Sequence, residues 1–177
     1  MKLLGLLRHA KSDWDDVSLR DFDRGLNDRG RRGAALIGRH IADAGIEWDA
    51  VIASPAERVR RTIDASGLSL APRFDQRAYL AGPGTLTDLL REAEGDPHAV
   101  LLIAHNPGLQ ELVFRLVDPA QENEAFARAS EKFPTGAFAL LELAIDRWSD
   151  LAAGSGRLVR FTRPRDLDPA LGPERNG

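Results

Sequence analysis

Residues 98–117 read HAVLLIAHNPGLQELVFRLV, and the junction at His105 decides the fold class. The apolar run from Ala99 to Ala104 is too short for a helix and reads as a strand. A helix signal follows at once, with Asn106 suited to a cap and Pro107 to the first helical position. A histidine between a strand end and a helix start is in the wrong place for core packing. In open α/β sheets that edge is where ligands bind.

The same grammar recurs on either side. Leu3–Leu7 (LLGLL) predicts a strand that stops at Arg8-His9. Trp48–Ser54 (WDAVIAS) holds a second predicted strand of about five residues, running into SPAERVRRTIDASG, with Ser54 as cap, Pro55 at the first helical position, Glu57 completing a capping box and Arg58 in the first turn. Between them lie a polar, Asp-rich stretch from Ser12 to Asp28 and a helix over DRGRRGAALIGRHIADAG. In that helix Ala34, Ile37, Ile41 and Ala44 share a face, and Gly45 ends it. Further on, PRFDQRAYL suggests a short strand. TLTDLLREAEG suggests a helix capped by Thr85 and Asp88, and ENEAFARASEK a short helix. TGAFALLEL and RLVRFT read as late strands, with Pro134 and Gly136 forming the turn that enters the first. Strands alternating with helices predict a single-domain, three-layer α/β/α sandwich around a mainly parallel sheet. The expected domain covers residues 1–165, followed by a loose tail over 166–177.

Composition narrows the function. The 177 residues carry a formal net charge of −3, which argues against a nucleic-acid partner even though nearly all the basic residues are arginine. There is no cysteine, which removes disulfides, thiol catalysis and thiolate metal sites and fits a reducing cytoplasm. MKLLGLL is too short for a signal-peptide core, and no run approaches the roughly 20 apolar residues of a membrane span. A cytoplasmic protein with no membrane partner is expected.

If the three strands are neighbours, His9, His105, Arg8, Arg58 and two helix N-termini converge on one edge. That is a site for a doubly charged oxyanion, phosphate above all. A neutral imidazole can attack phosphorus and carry the phosphoryl group, while the arginines and the second histidine neutralise its oxygens. The arginines supply the positive charge, so neither a metal nor a cofactor is called for. His40, His98, Arg60 and Arg61 read as surface residues, and Ser54 as a cap rather than a nucleophile.

LLRHAKS, SPAERVRRT and LLIAHNPG, with DFDRGLNDRG, resemble the motifs of the histidine phosphatase superfamily, the phosphoglycerate mutase-like fold. The set is most similar to the bacterial phosphohistidine phosphatase branch, over about Leu3 to Thr162. The resemblance implies His9 as phosphoryl acceptor, with Arg8, Arg58 and His105 completing the phosphate pocket. Ser12 stands where the family usually has threonine, and Asp15-Asp16 where an asparagine is common. Ser12, Asn106 and Trp14 are the expected substrate contacts, Trp14 as a wall of the entrance. The family's ester-cleaving members carry a carboxylic acid between the second and third motifs. RFDQRAYLAGPGTLTD offers none suitably placed, since Asp75 falls early and Asp88 belongs to a cap.

A phosphohistidine can leave as neutral imidazole without that acid, so the missing carboxylate points to P–N cleavage. The expected activity is hydrolysis of a phosphohistidine on a partner protein, such as a phosphorelay histidine domain, with a role in signal transduction. One alternative is a phosphomonoesterase acting on a small phosphorylated metabolite, with Asp13, Asp15, Asp16 or Asp21 folding over the site as acid. Another is a phosphate-binding regulatory module without turnover.

Overall fold

A computed structural model describes residues 1–173. Six strands form one sheet in the order β3-β2-β4-β1-β5-β6. They are β1 (Lys2–Arg8), β2 (Ala50–Ala53), β3 (Arg73–Phe74), β4 (Ala99–Ala104), β5 (Phe138–Leu143) and β6 (Gly156–Thr162). The first four run parallel, and β5 and β6 add an antiparallel edge. β4 is buried along its whole length because it lies between β2 and β1 with helices on both faces. Its unbroken apolar run is what such a position demands.

Helices α1 (Asp28–Asp43) and α2 (Glu57–Ser66) cover one face, where Ile37, Ile41 and Val59 pack on Leu7, Val51, Leu101 and Ile103. On the other, α3 (Pro83–Arg91), α4 (Gly108–Leu116) and α5 (Glu124–Glu131) belong with Leu4, Leu6, Val100 and Leu102. Alternate residues of β1 and β4 thus feed two cores, and the three-layer α/β/α sandwich is the observed fold. Gly108 sets how closely α4 can approach: a Cβ there would lie 2.0 Å from the Ala81 carbonyl oxygen.

Several local expectations need correction. Ser54 and Pro55 precede α2 rather than start it; Ala56 is its N-cap, and among backbone amides Ser54 Oγ reaches that of Ala56, at 3.3 Å, and none inside the helix. α3 begins at Pro83, a turn before Thr85, because proline suits a first helical position. α4 begins at Gly108, behind a cis Asn106-Pro107 bond, although Asn106 Oδ1 still accepts the Gln110 amide. The tail is not loose over 166–173. A short helix α6 (Pro164–Leu167) and a 3-10 turn (Pro169–Leu171) fold back on α1, where Arg29 donates to the Ala170 and Gly172 carbonyls. The remainder of that expected tail, 174–177, lies outside the described residues. No described helix is long and apolar enough to cross a membrane.

Candidate active site

The parallel strands β1, β2 and β4 end on one edge, and their ends build the site. β1 delivers Arg8 and His9, β4 delivers His105, and the start of α2 delivers Arg58. These four residues line one cleft of about 240 Å³, with Lys11, Ser12, Trp14, Asp21, Leu80, Asn106 and Thr135. The rings of His9 and His105 lie 5.2 Å apart.

His9 is nearly buried, and its Nδ1 sits 2.8 Å from the Ala10 carbonyl oxygen. A carbonyl only accepts, so Nδ1 carries the proton and Nε2 keeps its lone pair. Burial, followed by the His105, Arg8 and Arg58 charges, lowers the His9 pKa to about 3, against the pull of the Ala10 hydrogen bond. The ring is neutral at pH 7.

His105 has the complementary arrangement. Its Nε2 lies 2.7 Å from the fully buried Ser54 Oγ, which already accepts the Ala56 amide. Donation to His105 is the remaining use for the Ser54 proton, and it leaves the ring proton on Nδ1. That Nδ1 is buried and unpartnered among the described residues. Burial and Arg58 lower the His105 pKa to about 3 as well. One neutral imidazole therefore presents a lone pair and the other a donor.

Backbone contacts fix these groups. Arg8 Nη1 and Asn106 Nδ2 both donate to the Phe133 carbonyl, at 2.9 and 3.1 Å. The Gly136 amide donates to the Arg8 and His9 carbonyls, so the turn into β5 clamps the end of β1. Thr62 Oγ1 accepts the Ala10 amide at 2.9 Å and donates to the Arg58 carbonyl, tying α2 to the strand end.

Asp21 is the one carboxylate of the four expected acids that lines the cleft. Its oxygens accept from Arg24, Arg58 and the Tyr79 hydroxyl. Burial favours its protonation, but those hydrogen bonds prevail and hold the carboxyl well below its usual range. Asp21 is thus an ionised acceptor in this arrangement. Asp13 and Asp16 turn back on their own loop, accepting the Asp15 and Ser18 amides, while Asp75 is engaged by Arg73 and Arg77.

The expected residues Arg8, His9, Arg58 and His105 converge, with Ser12, Trp14 and Asn106 around them. The Asn106 amide is used on both sides, by Gln110 and Phe133. Trp14 is 65% exposed at the mouth, with the Arg24 guanidinium 3.6 Å over its ring. Sequence reasoning missed Tyr79, which packs edge-on against His105 at 5.5 Å and bonds Asp21. Its signal was slight: it is the chain's single tyrosine, in a stretch searched for carboxylates. The site contains no cluster of ligands for a metal ion among the described residues.

A sequence profile of the histidine phosphatase superfamily (branch 1) matches residues 4–81, which span Arg8, His9 and Arg58. The uncharacterized protein Rv1276c of Mycobacterium tuberculosis is 36% identical over 160 residues, covering 90% of this chain and all of that protein. The chain belongs to the histidine phosphatase superfamily. Among solved structures, SixA of Nakamurella multipartitia, described as a candidate phosphohistidine phosphatase, superposes with a TM-score of 0.80 at 27% identity, over 92% of this chain and 96% of that one. SixA of Agrobacterium tumefaciens gives 0.74 at 29% identity, over 92% and 98%.

Proposed function

We propose that the protein is a cytoplasmic phosphohistidine phosphatase acting on a partner protein through a phospho-His9 intermediate. The observation that carries this reading is the His9 Nδ1 hydrogen bond to Ala10, which leaves Nε2 bare between Arg8, Arg58 and His105. In the first step Nε2 bonds to phosphorus as the bond from phosphorus to the substrate nitrogen breaks. The substrate ring, protonated on its other nitrogen, leaves as neutral imidazole. In the second step water attacks phosphorus and the P–Nε2 bond breaks. His9 keeps its Nδ1 proton and likewise leaves neutral, while the water's proton passes to the phosphate or solvent. Arg8, Arg58 and the His105 Nδ1–H stabilise the charge on the phosphoryl oxygens throughout.

Neither step needs a carboxylic acid, and Asp21, the carboxylate at hand, is held ionised. An alkyl ester would expel an alkoxide and needs a proton donor. The likeness to two proteins described as candidate phosphohistidine phosphatases supports the same substrate class. A phosphorelay histidine domain is the kind of partner this reading names, and signal transduction its context.

The test compares a phosphohistidine protein, an aryl phosphate and an alkyl phosphate in metal-free buffer. Rates should fall in that order, and His9→Ala should lower all of them by about 10⁴-fold or more. An alkyl phosphate cleaved as fast as the phosphohistidine would overturn the reading.

A further inference from the structure

A second cleft adjoins the first and is larger, about 460 Å³, within the roughly 300–1,000 Å³ range of small-ligand sites. The two share Arg8, Lys11 and Thr135. Its walls are the first turns of α1, the Pro134–Gly136 turn and the C-terminal segment from Arg163 to Pro173. The floor is built closely: a Cβ on Gly136, which has φ +75°, would lie 2.8 Å from Pro164 Cγ.

Six basic residues line this cleft: Arg8, Lys11, Arg29, Lys132, Arg163 and Arg165. No Asp or Glu lines it among the described residues. Arg163 is neutralised by Asp166 at 2.8 Å, with Glu131 nearby. Lys11, Lys132 and Arg165 have no carboxylate partner among the described residues. Lys11, Lys132 and Arg165, gathered on one cleft without a carboxylate counter-charge, repel one another. An anion in the cleft relieves that repulsion.

We infer that this cleft is a second anion subsite, holding a phosphate or carboxylate that the substrate carries beyond the phosphoryl group at His9. Arg8 and Lys11 stand between the two anions and contribute to both. The inference rests on the proposed phosphatase reading for the first anion, but the second cleft can be tested without turnover.

The experiment is a binding titration with an alkyl monophosphonate, bisphosphonates of graded chain length and matching carboxyalkyl phosphonates. Wild type is compared with the Lys132→Ala/Arg165→Ala double variant. At one chain length a second anion should tighten binding to wild type by about tenfold or more. In the double variant that gain should shrink to within about twofold, with monophosphonate affinity and thermal melting unchanged. Equal affinity for one and two anions in wild type, or a gain that survives in the variant, overturns the subsite. A carboxylate as effective as the second phosphonate identifies an acidic side chain beside the phosphorylated residue as the source; a response to phosphonate alone identifies a second phosphate. If the monophosphonate fails to bind, the reading of the first pocket falls, while a bisphosphonate response lost in the double variant still establishes the second.

Discussion

The floor and the rim of the catalytic cleft are built by opposite means. On the floor, His9, Arg58, Ser54 and His105 are buried at strand and helix ends, and hydrogen bonds fix one nitrogen of each imidazole, leaving the other for the phosphoryl group. On the rim, Trp14 and Leu80 are exposed apolar side chains on loops, and Leu80 adopts the left-handed region with φ +52°. A fixed floor suits chemistry common to any phosphoryl group, because preorganised donors gain nothing by moving. A loop-borne rim suits discrimination among whatever carries that group. The two are joined by one chain of contacts: the Trp14 ring, the Arg24 guanidinium, the Asp21 carboxylate and Arg58.

The sharpest way to break this division is to remove charge from the floor. Arg58→Ala should lower kcat by about 10²–10³-fold for the phosphohistidine protein and the aryl phosphate alike, because it acts on the shared phosphoryl oxygens. Steady-state rates on both substrates check this. A loss confined to the protein substrate would move Arg58 from the floor to the rim. Ser54→Ala should cost less, about 10–100-fold, by freeing the His105 tautomer while leaving His9 intact. Single-turnover phosphorylation of His9 in that variant would show a slower first step with unchanged stoichiometry.

The floor was largely legible in the sequence because it lies at element ends, where apolar runs stop and helix signals start. Arg8-His9 and His105 are marked by that change of pattern, and Arg58 by its place just after Ser54-Pro55. What escaped depends on contacts across the chain. Tyr79 acquires its role only when Asp21, 58 residues earlier, folds against it. The Phe133 carbonyl, which holds Arg8 and Asn106, has no side-chain signature at all. The capping errors at α2 and α3 share a simpler cause: proline marks a turn reliably, but whether the helix starts at it or beyond it depends on tertiary packing. The docked segment at 166–173 was missed because its anchor is Arg29, on a helix far away in sequence.

The floor also carries a cost that depends on pH. His9 takes up a proton near 6.5 in the unfolded chain but only at about 3 when folded. Between those values the unfolded state binds more protons, so stability falls as pH falls, by up to about 1.4 kcal/mol per pH unit from this residue. Above 6.5 the contribution vanishes. Urea unfolding in phosphate-free buffer at about pH 7 and pH 5 should show an acid loss about 2 kcal/mol smaller in His9→Ala than in wild type, the loss due to His105, lowered in the same way, remaining in both. Equal acid sensitivity in the two would mean that His9 is protonated within the fold, and the neutral nucleophile would be lost with it.

The smallest effect is the most telling for the rim. Trp14→Ala removes an exposed ring but leaves the Arg24–Asp21 and Asp21–Arg58 pairs in place. With the floor untouched, kcat for the aryl phosphate should stay within about twofold of wild type. For the phosphohistidine protein, KM should rise by about 5–20-fold, the ordinary effect of truncating an aromatic interface contact. Parallel Michaelis–Menten measurements on the two substrates separate these outcomes. If the aryl phosphate suffers equally, the ring is acting through Arg24 and Asp21 on Arg58, and rim and floor are one machine. If neither substrate responds, Trp14 serves only to shelter the Arg24–Asp21 pair, and discrimination must come from Leu80 and the far side of the cleft.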